Sequence, residues 1–462
     1  MVESVRELSR DARRAVRDGH QALLDRQRAR LADQVSYARA HSPFYRRLYR
    51  HLPDHVEDPT SLPVTDKSLL MAEFDGVVTD RAVTRERVEE FVADPDLIGR
   101  PFTESRHLVA TSSGTSGIRG LFVLDERNAR VIRALGLRSN TRLGLRRALR
   151  VLARRGRTAV VTAPRGHFYT VASAERIRLE HPWLGGLARV FPIDRPLPEL
   201  VAELNAYDPA VVAGFPSMIM MLAAEQEAGR LRIDPEVIAP GGETITDRAW
   251  QRLADVFRAQ VRAVYAATEC FFLSHWCDQH WYHVNIDWAV LEPVDADHRP
   301  VPPGEPSHTV LVSNLANRVQ PFLRYDLGDS VLVRPDPCPC GSPLPAIRVQ
   351  GRAADLLAFD TGAGRTELSP MLFGTVLDRV DGLDRYQLVQ TAPDVLRVRL
   401  RPRAGADPER VWRTVRTDLA GLLDEHGAAG VVIERAAEQP EQSAGGKLRR
   451  VVALQQSSPG GV

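Results

Sequence analysis

The sequence predicts an α/β protein: a large N-terminal α/β domain that includes a small β subdomain, followed by a small α+β C-terminal domain. Three observations predict it. Between residues 108 and 316, apolar stretches such as 159–163 and 210–214 alternate with helical segments, the pattern of a sheet with crossover connections. From about residue 288 to 350 the pattern changes to short β-branched runs broken by Pro, Gly and Asn, such as 309–313 and 330–333, which predicts the β subdomain. Beyond Gly351-Arg352, strand-like 386–389 and 395–400, a helical 408–425 and a strand at 431–434 make a unit of ordinary small-domain size.

The chain has 462 residues, more than one ordinary domain. Residues 1–62 read as helices with Leu23, Leu31 and Val35 on one face, a lid or packing layer for the core at 63–351. Residues 352–454 form the C-terminal domain, and 455–462 read as a frayed polar tail. The 44% apolar and 26% charged composition is that of a soluble globular protein, and a net charge of +2 gives no field that predicts a nucleic-acid partner. The first 30 residues mix Arg with Glu and Asp and have no apolar h-region, so a secretory signal is not expected and the cytoplasm is. The longest apolar stretch, 211–224, is interrupted by Gly214 and Pro216 and falls short of the roughly 20 residues that a bilayer demands, so no membrane span is expected.

Nearly every basic residue is Arg; the lysines are Lys67 and Lys447. A lysine kept against that bias invites a reason. The strongest local signal is Thr111-Ser112-Ser113-Gly114-Thr115-Ser116-Gly117, directly after a strand-like Leu108-Val109-Ala110. Small hydroxyl residues and Gly let backbone approach phosphate oxygens while supplying O–H and N–H donors. The Gly-Lys-Ser/Thr ending of a Walker loop is missing, and a solvated Ser/Gly linker is the bland alternative.

This run resembles the phosphate loop of the adenylate-forming superfamily, which comprises acyl-CoA synthetases, peptide-synthetase adenylation domains and luciferases. Further motifs follow in that superfamily's order. Gly241-Gly242-Glu243 is similar to the adenine-side segment, and Tyr265-Ala266-Ala267-Thr268-Glu269 to the aromatic-x-x-Thr-Glu motif. Arg324-Tyr325-Asp326-Leu327-Gly328-Asp329 resembles the ribose motif; Gly351-Arg352 then stands at the domain boundary and Gly446-Lys447 near the C-terminus. Ser42-Pro43-Phe44-Tyr45, a Cys-Pro-Cys-Gly run and the short C-terminal domain resemble the phenylacetate-CoA ligase-like branch, which includes coenzyme F390 synthetases.

The resemblance implies ATP-dependent activation of a carboxylic acid, aromatic in keeping with the branch, as its acyl-AMP with release of pyrophosphate, then transfer to CoA. An amine acceptor, or a nucleotidylated product as in F390 synthesis, shares every motif. It implies a mobile C-terminal domain, Lys447 bridging the acyl carboxylate and the phosphate, Glu269 holding Mg²⁺, Thr268 donating to the α-phosphate and Tyr265 stacking on adenine. Asp329 would accept the ribose hydroxyls, and Arg352 would reach ribose or phosphate near the hinge. His167, Phe168, Phe215, Pro216 and Ala266 are candidates for the acyl pocket, although a packed histidine and core aromatics fit equally. A homodimer is expected by analogy. Departures are Ala354 at the family's hinge acid, Ala266 where Gly is usual, and Arg119 where the phosphate loop often has Lys.

Cys270, Cys277, Cys338 and Cys340 lie in two tight clusters rather than a disulfide framework. Cys277, His283, Cys338 and Cys340 supply a set sufficient for a tetrahedral structural Zn²⁺, with His275 or His280 as alternative imidazoles and free buried thiols as the other reading. The basic run at 146–157 reads as a solvated helix face in preference to a surface that attracts the phosphates of CoA or an anionic acceptor.

Overall fold

The structure is a computed structural model. It describes residues 3–112, 119–140, 143–162, 166–181, 187–192, 195–243, 245, 247–352, 357–361, 364–368, 370–377, 379–441 and 448–454. Ser113, Gly114, Thr115, Ser116, Gly117, Ala354, Lys447 and the Arg352 side chain lie outside the described residues.

The N-terminal layer begins with helix Val5–Asp18, started by a reciprocal capping box between Ser4 and Glu7. Leu8, Ala12 and Ala15 on its inner face are fully buried and join one core cluster with Val131, Ala134 and Leu135 of helix Glu126–Asn140. Helix His20–His41 puts Leu31, Val35 and Ala38 into another cluster with Phe44, Tyr45 and Tyr49. Ser42 caps the next helix, Pro43–Leu48, and the Tyr45 hydroxyl donates to the Pro321 carbonyl at 2.8 Å, which ties the layer to the β region. A buried Arg138–Asp287 ion pair at 2.9 Å does the same from helix Glu126–Asn140.

The centre is a five-stranded, all-parallel sheet in the order Ala188–Pro192, Thr158–Thr162, Val211–Gly214, Val237–Pro240, Gln260–Val261. Helices Tyr169–Glu180, Leu197–Tyr207, Pro216–Glu227 and Asp247–Phe257 provide the crossovers. Gly214 permits the strands to close up, because a Cβ there would stand 2.5 Å from the Val161 carbonyl oxygen. Ligands of open parallel sheets bind outside the carboxyl ends of the strands. Those ends here are Thr162, Gly214 and Pro240, each followed by a motif singled out above.

Two antiparallel sheets follow. One contains Ala289–Val294, Thr309–Asn314 and Tyr325–Asp326; the other has the order Asp329–Val333, Ala346–Arg352, Trp281–Val284, Ser274–Cys277. The β region therefore takes two strands from before residue 288, where the short Ser274–Cys277 and Trp281–Val284 pair as a hairpin. In the C-terminal part, strands Val432–Arg435, Val395–Pro402, Leu383–Ala392 and Val451–Val452 form one sheet. It shares a core with helices Pro370–Leu377 and Pro408–Glu425, drawn from residues 357 to 453 alone.

The basic run is solvated as expected: no residue of helix Leu145–Ala153 is buried, and Leu145, Leu149 and Leu152 are exposed with it. Arg147 and Arg150 nevertheless pair with the buried Glu236 at 3.6 and 2.6 Å, a contact that charge pattern alone does not reveal.

Candidate active site

The phosphate-loop candidate connects the antiparallel strands Leu108–Thr111 and Leu121–Leu124, which pair from Leu108↔Leu124 to Thr111↔Leu121. Its neck is held shut at Ser112. The Ser112 N–H donates to the Gly120 carbonyl at 3.2 Å, and the Ser112 hydroxyl accepts from the Gly120 N–H at 3.0 Å. The same hydroxyl accepts from the Lys67 ammonium at 3.0 Å. Lys67 opens helix Lys67–Ala72, whose N-cap Asp66 accepts from the Leu69 N–H. The cap thus fixes a cation at the mouth of a loop suited to phosphate. The motif reading passed over Lys67; the signal was its rarity.

Thr111 is buried, and its N–H donates to the His167 carbonyl at 2.7 Å. The His167 ring is itself buried, 5.4 Å from the Phe91 ring, with Nε2 3.1 Å from the Asp94 carbonyl. Burial pushes its pKa down, so the imidazole is neutral and Nε2 is the donor in this contact. His167 and Phe168 follow strand Thr158–Thr162, while Phe215 and Pro216 follow strand Val211–Gly214, its parallel neighbour. Both pairs of acyl-pocket candidates therefore stand at the carboxyl edge of adjacent strands. Tyr169 and Phe271 add a ring pair 3.9 Å apart.

The adenine-side segment leaves strand Val237–Pro240. Gly241 bridges to Val264 beside the aromatic motif, and Gly242 takes φ 80°, which suits glycine. The Tyr265 ring is largely buried and its hydroxyl donates to the Asp329 carboxylate at 2.9 Å. Tyr325, from the same sequence run as Asp329, donates its hydroxyl to Glu269 at 2.9 Å; burial, then the neighbouring Glu269 charge, pushes the phenol well up and keeps it a donor. The Glu269 main-chain carbonyl accepts from the Asn314 amide at 2.8 Å. Thr268 and Ala266 are partly exposed beside these groups. Asp329 opens strand Asp329–Val333 and is the direct cross-strand partner of Arg352.

Glu243 does something the motif reading did not foresee. Its carboxylate accepts from the Ser217 N–H and hydroxyl, both at 3.0 Å, and from the Leu448 N–H at 2.9 Å. Leu448 follows Lys447 in the sequence, so a core residue grips the C-terminal segment one position from that lysine. Desolvation in this seam raises the Glu243 pKa, against the pull of the three hydrogen bonds.

Away from these residues, Cys277, His283, Cys338 and Cys340 bring their ligand atoms within 4.8 Å of one another. The Cys277 and Cys338 sulfurs are 3.7 Å apart, close to the roughly 3.8 Å expected of two thiolates about 2.3 Å from a tetrahedral ion. His283 holds Nδ1 at 2.9 Å from the Leu344 carbonyl, which turns Nε2 to the thiols, 3.1 Å from Cys340 Sγ. The alternative imidazoles are engaged elsewhere, His275 with Asn285 and His280 with Asp247. Cys270 is buried apart from this group, and burial raises its thiol pKa.

No family model and no curated protein matches the sequence. Solved structures do match. 2-Hydroxyisobutyryl-CoA ligase in the postadenylation state, in complex with 2-HIB-AMP, superimposes with a TM-score of 0.66 at 21% identity over 94% of this chain and 90% of that one. The same ligase with 2-HIB-AMP and CoA in the thioesterification state gives 0.53 at 20% identity over 94% and 89%. The anthranilate CoA ligase AuaEII with anthranoyl-AMP gives 0.53 at 16% identity over 75% and 66%. These likenesses match the fold class expected from the sequence, and the chain has the fold of the adenylate-forming CoA ligases.

Proposed function

We propose that this chain is an AMP-forming ligase that activates a carboxylic acid as its acyl-AMP, releases pyrophosphate and passes the acyl group to CoA. The observation that carries the reading is the Glu243–Leu448 hydrogen bond, which brings the segment following Lys447 against the carboxyl edge of the sheet. Tyr265 with Asp329, Glu269 with Tyr325, and Ser112 with Lys67 support it, each joining groups far apart in sequence.

In this mechanism the acid's carboxylate attacks the α-phosphorus of ATP in line and pyrophosphate leaves. Two anions must be brought together, so cations decide the rate. Lys447 would bridge carboxylate and α-phosphate, while Lys67 and the loop 111–117 would hold the departing phosphates. Thr268 would donate to the α-phosphate, Tyr265 and Gly241-Gly242 would flank adenine, and Asp329 with Arg352 would hold the sugar. Glu269 would hold Mg²⁺, whose chemistry is to neutralise phosphate charge. The buried Cys₃His cluster fits a structural Zn²⁺.

We take the acid to be aromatic or otherwise planar. Phe168, Phe215 and Pro216 at neighbouring strand ends support this, as does the likeness to an anthranilate CoA ligase. A second reading, transfer to an amine, rests on Ala354 in place of the hinge acid. We further propose a homodimer located in the cytoplasm; among the described residues no helix is long and apolar enough to cross a membrane. The test is pyrophosphate release from ATP and Mg²⁺ over a panel of aryl and aliphatic acids, with and without CoA. Acid-dependent release that Lys447→Ala abolishes is expected, with thioester formed when CoA is added. Release from no acid, or release that survives Lys447→Ala, overturns the reading; release with amide but no thioester selects the amine.

A further inference from the structure

The seam between the core and the C-terminal part contains a cavity of ≈ 90 Å³ with an unbalanced charge. Arg248 and Arg252 reach it from the core helix Asp247–Phe257, and Arg385, Arg403 and Arg450 from the C-terminal side, against the single carboxylate of Asp384. The acids nearby are already engaged. Asp384 accepts from Arg401 Nε at 2.8 Å, Glu227 pairs with Arg252 at 2.7 Å, and Glu243 accepts from Ser217 and Leu448.

Of the arginines left over, Arg450 meets the Tyr386 hydroxyl and ring, whereas Arg248, Arg385 and Arg403 have little to hold. Nη2 of Arg385 is buried with no hydrogen-bond partner. Arg248 and Arg403 make no side-chain hydrogen bond or ion pair among the described residues. What distinguishes these three from unpaired arginines elsewhere is that they line one cavity with Arg252 and Arg450. Like charges at close quarters in a partly desolvated seam repel, and a buried N–H without an acceptor is costly. Burial, then the neighbouring Arg401, lowers the Arg385 pKa, while Asp384 and Glu243 pull it back up.

An anion resolves both problems. At roughly 10–15 Å³ for each water-sized occupant, the cavity takes about six to nine such groups, the size of a phosphate or diphosphate rather than a nucleotide. Tetrahedral phosphate oxygens accept from guanidinium forks on several sides at once, where a lone carboxylate would satisfy one. None of Thr111, Ser112, Tyr265, Glu269 or Asp329 lines the cavity, which adjoins the site only through Ser217 and Leu448, the partners of Glu243.

We propose that this arginine-lined cavity is a second anion site that binds a phosphate or diphosphate group and, because its guanidiniums come from both sides of the seam, clamps the two domains in the present arrangement. The proposed function is needed only for its consequence, that the clamped arrangement is the one that makes acyl-AMP. The phosphate could be a free ion or a phosphate of CoA.

The test is calorimetric titration of the full chain with pyrophosphate, in the absence of ATP and acid, so it reads binding whatever the enzyme's reaction proves to be. Wild type is expected to take up an equivalent that Arg385→Gln/Arg403→Gln binds at least tenfold more weakly and Lys67→Ala retains. Protection of the full chain from limited proteolysis on adding pyrophosphate, lost in the same double variant, is expected alongside. Competition by CoA but not by CoA lacking its 3′-phosphate would name that phosphate as the source; competition by neither would name the free ion. No binding, equal binding by the double variant, or binding lost only in Lys67→Ala would overturn the proposal. A melting temperature of the double variant within a degree or two of wild type guards against loss of fold.

Discussion

Replacing Glu243 separates the two halves of the proposed reaction. The carboxylate makes one hydrogen bond across the seam, to the Leu448 N–H at 2.9 Å, and two within the core, to Ser217. A hydrogen bond to a charged acceptor contributes about 1.5–3 kcal/mol. At about 1.4 kcal/mol per decade, Glu243→Ala should reduce the population with Leu448 docked by roughly 10- to 100-fold. Acyl-AMP formation should fall by up to that factor, read as acid-dependent pyrophosphate release, whereas thioester formation from supplied acyl-AMP and CoA should stay within about twofold. Equal losses in both steps, or no loss in either, would refute the latch. The pH dependence gives a second check. Because desolvation raises the folded pKa of Glu243, the seam favours the neutral carboxyl; that contribution is fully present below the ordinary carboxylate range and is lost as pH rises through the raised value. Adenylation in wild type should carry this slope, and Glu243→Gln, neutral throughout, should flatten it.

Lys67→Ala removes the cation at the loop neck and should lower kcat/KM for ATP by about 10- to 100-fold, leaving the affinity for AMP nearly unchanged, as a nucleotide titration would reveal. Cys277→Ser should abolish about one equivalent of zinc measured by elemental analysis, and a strong chelator should lower the melting temperature of wild type but not of the variant. Arg138→Ala leaves the buried Asp287 carboxylate with Arg30 at 3.8 Å as its remaining cation and should cost up to about 3–5 kcal/mol in chemical denaturation; a loss below about 1 kcal/mol would show the pair to be replaceable.

Legibility in the sequence followed the range of the interaction that sets each feature. The helix Pro408–Glu425 was readable to the residue, because its Asp407 cap and its apolar period are local. Strands such as Val211–Gly214 and Asp329–Val333 announced themselves as short β-branched runs between turn residues. The hairpin of Ser274–Cys277 and Trp281–Val284 did not, since a run with His, Trp and Cys lacks alternation and owes its pairing to strand Ala346–Arg352, some 65 residues on. Residues within one motif could be singled out from the sequence; the side chains they contact could not. Tyr325 stood in a quoted motif without a role, and Glu243 was read as an adenine-side residue because nothing local reveals Leu448.

The pairing of Asp329 with Arg352 has a mechanical consequence. The residue proposed to hold the sugar and the residue at the domain boundary occupy one rung of one ladder. A lid that swung from there would pivot on the nucleotide's own handhold, with its axle sunk in the core. An intermediate gripped at Asp329 would then stay put while the lid changed faces above it, exchanging one set of catalytic groups for another without letting the adenylate escape to water.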